Sequence, residues 1–146
     1  MQDALTIAII AERRHLDNRA IREAQQALDA AGCTVLVVVP GADRLYEVPS
    51  AAPPWDAALS RGRDLAGLGL LAAVAALGVT AINTPRSIEL VRNKIAMQAV
   101  LLEHDLPIPK TWFASEPGVF RDIPRDHFPL VVKPFDGDGA KGLALL

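Results

Sequence analysis

Two lysines flank a glycine-rich turn: Lys133 ends the apolar run Leu130 to Val132, and Lys141 lies within Gly137-Asp138-Gly139-Ala140-Lys141-Gly142. A second apolar run, Leu143 to Leu146, follows, so the order reads as strand, flexible loop and return strand. Glycines let the loop backbone turn its N–H groups towards a bound anion, and flanking ammonium groups supply the positive charge that a polyphosphate needs. Because strand side chains alternate, Lys133 shares a face with Val131 and opposes Val132. A lysine continuing a buried apolar strand is costly to desolvate without a charged partner, and a phosphate would serve as one. The plain alternative is a hairpin with no ligand.

Spacing excludes two common phosphate loops. A Walker loop places Gly-Lys-Ser/Thr directly before a helix, whereas Lys141 is followed by Gly142 and an apolar run. A dinucleotide-binding fingerprint would follow the first strand, where the chain has Ala11-Glu12-Arg13-Arg14-His15-Leu16 and no glycine. Lys94 is a third candidate cation. Thr84-Pro85 starts a short helix running to about Arg92, and Asn93-Lys94 opens another, with Ile95, Ala99, Leu102 and Leu106 as its expected inner stripe. A lysine at a helix N-terminus opposes the macrodipole at a cost of ~0.3–1 kcal/mol, unless an anion is shared with the free N–H groups. A solvated surface lysine is the bland reading.

Thr84-Pro85-Arg86-Ser87-Ile88-Glu89-Leu90-Val91-Arg92-Asn93-Lys94, then Leu106-Pro107-Ile108-Pro109-Lys110-Thr111, then Val131-Val132-Lys133-Pro134 together resemble the ATP-grasp superfamily. Within it they resemble the ribosomal-protein glutamate ligases and bacterial glutathione synthetases. The resemblance covers Ile82 to Leu146 well and the preceding residues in outline. It implies that Lys94 and Lys133 contact nucleotide phosphates and that the loop of Gly137, Asp138, Gly139, Ala140, Lys141 and Gly142 closes over them. ATP and magnesium are the implied cofactors, with the magnesium ligands and a catalytic arginine expected beyond Leu146. The implied chemistry activates a carboxylate as an acyl phosphate, which an amine of a small amino-acid or peptide substrate attacks. Asp105 stands where the family usually has a helix-ending glycine, tolerable because Asp adopts left-handed conformations. Ala140 replaces another common glycine, which stiffens the loop.

The expected fold is α/β: a Rossmann-like pre-ATP-grasp domain over residues 1–84, then the truncated beginning of an α+β ATP-grasp domain over 85–146. By itself the chain is expected to be inactive. The competing reading is a non-catalytic nucleotide-binding or dimerisation module of the same fold, a homo-oligomer.

Composition narrows the classes. With 51% hydrophobic and 22% charged residues, the chain falls in the range of folded globular proteins. A net charge of -2 with dispersed basic residues argues against nucleic acid as a partner. Cys33 is the single cysteine and forms no internal disulfide, and no signal peptide is visible; both suit the cytoplasm. Leu65 to Ile82 carries no charge, but Gly67, Gly69 and Gly78 interrupt it. A helix from Asp64 to Leu77 would span only ~20 Å, short of the ~30 Å of a bilayer core. A buried helix followed by a strand is expected instead of a membrane span.

The supporting elements read in order as follows. Leu5 to Ile10 is a strand buried on both faces, and Asp17 or Asn18 caps a helix with Ile21, Ala24, Leu28 and Ala31 on one side and Gly32 as its stop. Thr34 to Val39 is a second buried strand, giving a right-handed parallel β-α-β opening. Residues 42–54 form a loop with one short turn. Trp55 to Ser60 is a weaker strand, and Asp64 opens a helix striped by Leu70, Leu71, Val74 and Leu77 before a strand at Val79 to Ile82. Pro107 to Phe113 is expected as a strand and Glu116 to His127 as a polar connection. Arg14 and His15 fall at the carboxyl end of the first strand, where open α/β sheets bind ligands.

Overall fold

The computed structural model describes residues 4–41, 45–136 and 140–146. The chain divides into two compact units, Met1–Ile88 and Glu89–Leu146. The first unit is a parallel sheet with strand order β2-β1-β3-β4, where β1 is Thr6–Ala11, β2 Thr34–Val38, β3 Ala57–Arg61 and β4 Thr80–Ile82. β1 lies inside the sheet and its apolar residues are buried, with Ala8, Ile9, Ile10 and Ala11 each at most 2% exposed. Burying an isoleucine in this way stabilises the fold by ~1.5–3 kcal/mol.

Two helices connect the strands. Asn18, rather than Asp17, caps α1 (Arg19–Ala30), its side chain accepting from the Ala20 N–H. Asp64 caps α2 (Leu65–Ala76) by accepting from the Gly67 N–H at 2.8 Å. Gly32 and Gly78 end them with φ of 80° and 95°, where a side chain would be strained. The core gathers Ala8, Ile10, Val38, Ala58, Leu71, Val74 and Val79.

Three expectations shift here. β2 is an edge strand, with only Val38 buried, because β1 pairs with β3 on its other side. β3, the weakest strand in the sequence, lies inside the sheet; alanine has low strand propensity, yet Ala58 is fully buried, in the strand on which α2 packs. The buried side of α2 is Gly67, Leu68, Leu71 and Val74, so the stripe is rotated from the expected Leu70 and Leu77. An almost uniformly apolar helix gives periodicity nothing to select. No helix among the described residues is long and apolar enough to cross a membrane.

The second unit has few regular elements. The boundary between the units falls within α3 (Pro85–Arg92), which leads into α4 (Lys94–Glu103), ending at Asp105 in the left-handed conformation with φ 53°. The expected inner stripe of α4 is exposed at Ile95, Ala99, Leu102 and Leu106, while Ala96, Met97, Val100 and Leu101 are partly buried. Apolar residues occupy both faces of this helix, so spacing alone selects neither. No strand forms over Pro107 to Phe113. Pro107 and Pro109 remove N–H donors from the same edge of an extended chain, which weakens any ladder there. The connection holds two 3-10 turns, Pro117–Asp122 and Arg125–His127. β5 (Val131–Val132) and β6 (Ala144–Leu145) then form an antiparallel hairpin, closed by a reciprocal pair of Leu130–Leu146 backbone bonds of 2.9 Å. No described residue of this unit is fully buried.

Candidate functional site

Lys94 and the glycine-rich hairpin, 41 positions apart at Phe135, meet through a carbonyl. The Phe135 oxygen accepts from the Lys94 backbone N–H at 3.3 Å and lies 3.4 Å from its ammonium Nζ. Asn93 makes this placement possible. As the cap of α4, its side-chain oxygen accepts from the N–H groups of Ile95 and Ala96 at 3.1 and 3.0 Å, while its carbonyl takes the Met97 N–H. The first-turn donors of α4 are therefore all engaged within the protein. The sequence-based idea of an anion shared with free N–H groups does not hold, since these N–H groups already have partners within the chain.

Lys133 follows β5 directly and is exposed, as is Val131. The strand is not buried, so the expected desolvation of Lys133 does not occur; its candidacy rests on position. The next residue, Pro134, packs under the return of the loop. A Cβ on Gly142, which has φ +74°, would come within 2.8 Å of Pro134 Cγ, so a side chain fits neither the space nor the backbone there. Ala140 also adopts a positive φ of 59°, a conformation that costs a residue with a Cβ ~1–2 kcal/mol. Lys141, between them, is exposed. Gly137, Asp138 and Gly139 lie outside the described residues. Lys94 and the stretch Lys133–Phe135 are thus together at the base of one hairpin that also carries Lys141.

A second polar arrangement forms where β1 and β3 end. Glu12 directly follows β1, and its carboxylate Oε1 accepts from the N–H groups of Arg63 and Asp64 at 2.5 and 3.1 Å. Its other oxygen pairs with Arg14 Nε. Burial pushes the Glu12 pKa up, but the Arg14 hydrogen bond, the Arg63 N–H and the charges of Arg14 and His15 outweigh it and hold the carboxyl at about 2. Gly62 leaves the room: a Cβ there would fall 2.7 Å from Glu12 Cγ. The sequence reading singled out Arg14 and His15 and passed over Glu12. Its signal was available, since a charged residue immediately after a buried strand is already at the carboxyl edge of the sheet.

Lys110 Nζ lies 2.9 Å from His127 Nε2 and over the Trp112 ring. Among the described residues no three His, Cys, Asp or Glu side chains are gathered to hold a metal.

No protein-family model matches the sequence, and no curated protein matches it. Among solved structures it is similar to the crystal structure of a RimK domain ATP-grasp protein from Sphaerobacter thermophilus, at 27% identity and a TM-score of 0.66. The likeness covers 96% of this chain and 53% of that one, so the chain spans about half the length of that protein. With its parallel α/β sheet and the glycine-rich hairpin after it, the chain has the fold of the N-terminal part of an ATP-grasp protein.

Proposed function

We propose that the chain is the N-terminal portion of an ATP-dependent carboxylate-amine ligase, and that the hairpin with Lys94, Lys133 and Lys141 grips the nucleotide phosphates. The observation that carries this reading is the meeting of Lys94 with the Phe135 carbonyl, which joins a helix-borne ammonium to the entry of the glycine-rich loop. ATP, when bound, would supply a phosphoryl group to a carboxylate, making an acyl phosphate open to attack by an amine. The lysines would neutralise charge on the phosphates, and the loop over residues 137–142 would cover them. Magnesium belongs to the same reading; the described residues by themselves gather no ligand set for it. The substrates are of the small amino-acid or peptide class, and the domains are a Rossmann-like layer over 1–84 and the start of the nucleotide-binding domain over 85–146.

Titration of the chain with ATP, with and without magnesium, tests the phosphate role. Lys94→Ala and Lys133→Ala should each weaken binding roughly tenfold, the worth of one charge-assisted contact of about 1.4 kcal/mol. Lys110→Ala should change it little. Equal affinity in all three variants would remove the phosphate role from the hairpin.

A further inference from the structure

Among the described residues one side-chain nitrogen is withdrawn from solvent with no hydrogen-bond partner, the Nε of Arg92. A guanidinium keeps its charge throughout the range in which proteins fold, so this donor cannot be silenced by losing its proton. Buried polar groups are nearly always paired, and an exception calls for a physical reason.

A local partner stands close in the chain and is not used. Arg92 is the last residue of α3, and Glu89 lies three positions earlier on the same helix, the spacing at which a carboxylate and a guanidinium are neighbours. No ion pair joins them. The macrodipole favours a cation at the end of a helix, which accounts for the charge of Arg92 but not for a donor buried without an acceptor.

Its place in the chain points to the acceptor. Only Asn93 separates Arg92 from Lys94, and two residues of chain span ~7 Å at most, so both cations are held at the junction of α3 and α4. At the same junction Lys94 meets the entry of the glycine-rich loop through the Phe135 carbonyl, and the Asn93 side chain takes the N–H groups of Ile95 and Ala96. With those backbone donors engaged, an anion arriving here is met by side chains.

We propose that Arg92 is a further phosphate-binding residue, its guanidinium N–H groups, Nε–H included, donating to oxygens of the phosphate chain that Lys94 neutralises. The role rests on the phosphate reading of the hairpin given above and adds to it a donor of fixed geometry. A guanidinium presents a planar fork that matches two phosphate oxygens at once, whereas an ammonium acts as a point charge. The desolvation of Nε is then offset by the bound phosphate.

Affinity and stability should respond differently to losing this side chain, which separates a binding role from a structural one. Arg92→Met keeps an apolar stem and removes the unpaired donor, so its urea unfolding midpoint should equal or exceed that of the wild type. Calorimetric titration should show the same variant binding ATP, and tripolyphosphate without the nucleoside, each roughly tenfold or more weakly. Arg92→Lys keeps the charge but not the fork and should recover only part of that loss. Arg121→Met removes a guanidinium whose Nε already donates to the Gly118 carbonyl at 2.7 Å, and should leave binding unchanged. A lowered midpoint or a failure to fold in Arg92→Met marks a structural role and overturns the proposal, as does full wild-type affinity in either Arg92 variant. If Lys133→Ala weakens ATP binding while Arg92→Met does not, the role of Arg92 falls and that of the hairpin stands; if the wild type binds neither ATP nor tripolyphosphate, both fall.

Discussion

Replacing Glu12 by glutamine tests the tie between the β1 and β3 loops without changing its shape. The carboxyl is lowered from 4.5 to about 2 in the folded protein. One pKa unit is worth ~1.4 kcal/mol, so the ionised form stabilises the fold by about 3.5 kcal/mol at most. The Glu12 side chain is only 12% exposed, but Arg14 is 56% exposed and solvent screens its share, which brings the expected value to about 1–3 kcal/mol. The sign follows from the depressed pKa. The contribution is fully present above about pH 4.5, where the unfolded chain is also ionised, and is lost as pH falls towards 2. Urea unfolding of the wild type and Glu12→Gln should therefore differ by that amount at pH 7, and the gap should narrow progressively between pH 5 and pH 3.5. Glutamine keeps an oxygen that can accept from Arg63, so the pH-dependent part isolates the charge. A gap that is constant across this range, or absent at pH 7, refutes the assignment.

Three further outcomes are expected. Asn93→Ala removes the acceptor of two N–H groups at the start of α4 and should cost ~1 kcal/mol, read as a lowered unfolding midpoint together with weaker ATP binding through Lys94. Leu71→Ala, at a fully buried position, should cost ~2–5 kcal/mol, whereas Leu102→Ala, 58% exposed, should stay within ~0.5 kcal/mol; similar losses would contradict the burial pattern. Ala140→Gly should be neutral to stabilising by up to ~1 kcal/mol, because relief of the positive φ outweighs the added chain entropy; marked destabilisation in denaturant melts would count against that conformation.

The parts of the fold legible in the sequence were those written in local chemistry. The buried run of β1, the caps Asn18 and Asp64, the stops Gly32 and Gly78 and the left-handed Asp105 each follow from one or two neighbouring residues. Where the outcome depended on distant partners, the sequence misled. Thr34 to Val38 is as apolar as an interior strand but stands at the sheet edge, while the alanine-rich β3 is interior. Pro107 to Phe113 has strand-like spacing, yet two prolines on one edge leave it without a ladder. In α2 and α4 apolar residues cover too much of the helix for a period to identify the packed face.

The candidate site divides along the same line. Lysine and glycine identities single out Lys94, Lys133, Lys141 and Gly142 in the sequence, and the structure shows Gly142 left-handed and Lys94 meeting the loop entry at Phe135. The link itself is a main-chain oxygen, that of Phe135, and any residue at that position would present the same carbonyl. What the sequence does specify is the availability of that contact: Asn93 satisfies the next two N–H groups of α4, leaving the Lys94 N–H and ammonium to engage the loop. The cap thus decides how the charge is used. A helix start that kept its N–H groups open could meet an anion by its backbone, whereas this one has its first-turn N–H groups engaged, and under the proposed function any hold on phosphate would come from the side chain of Lys94.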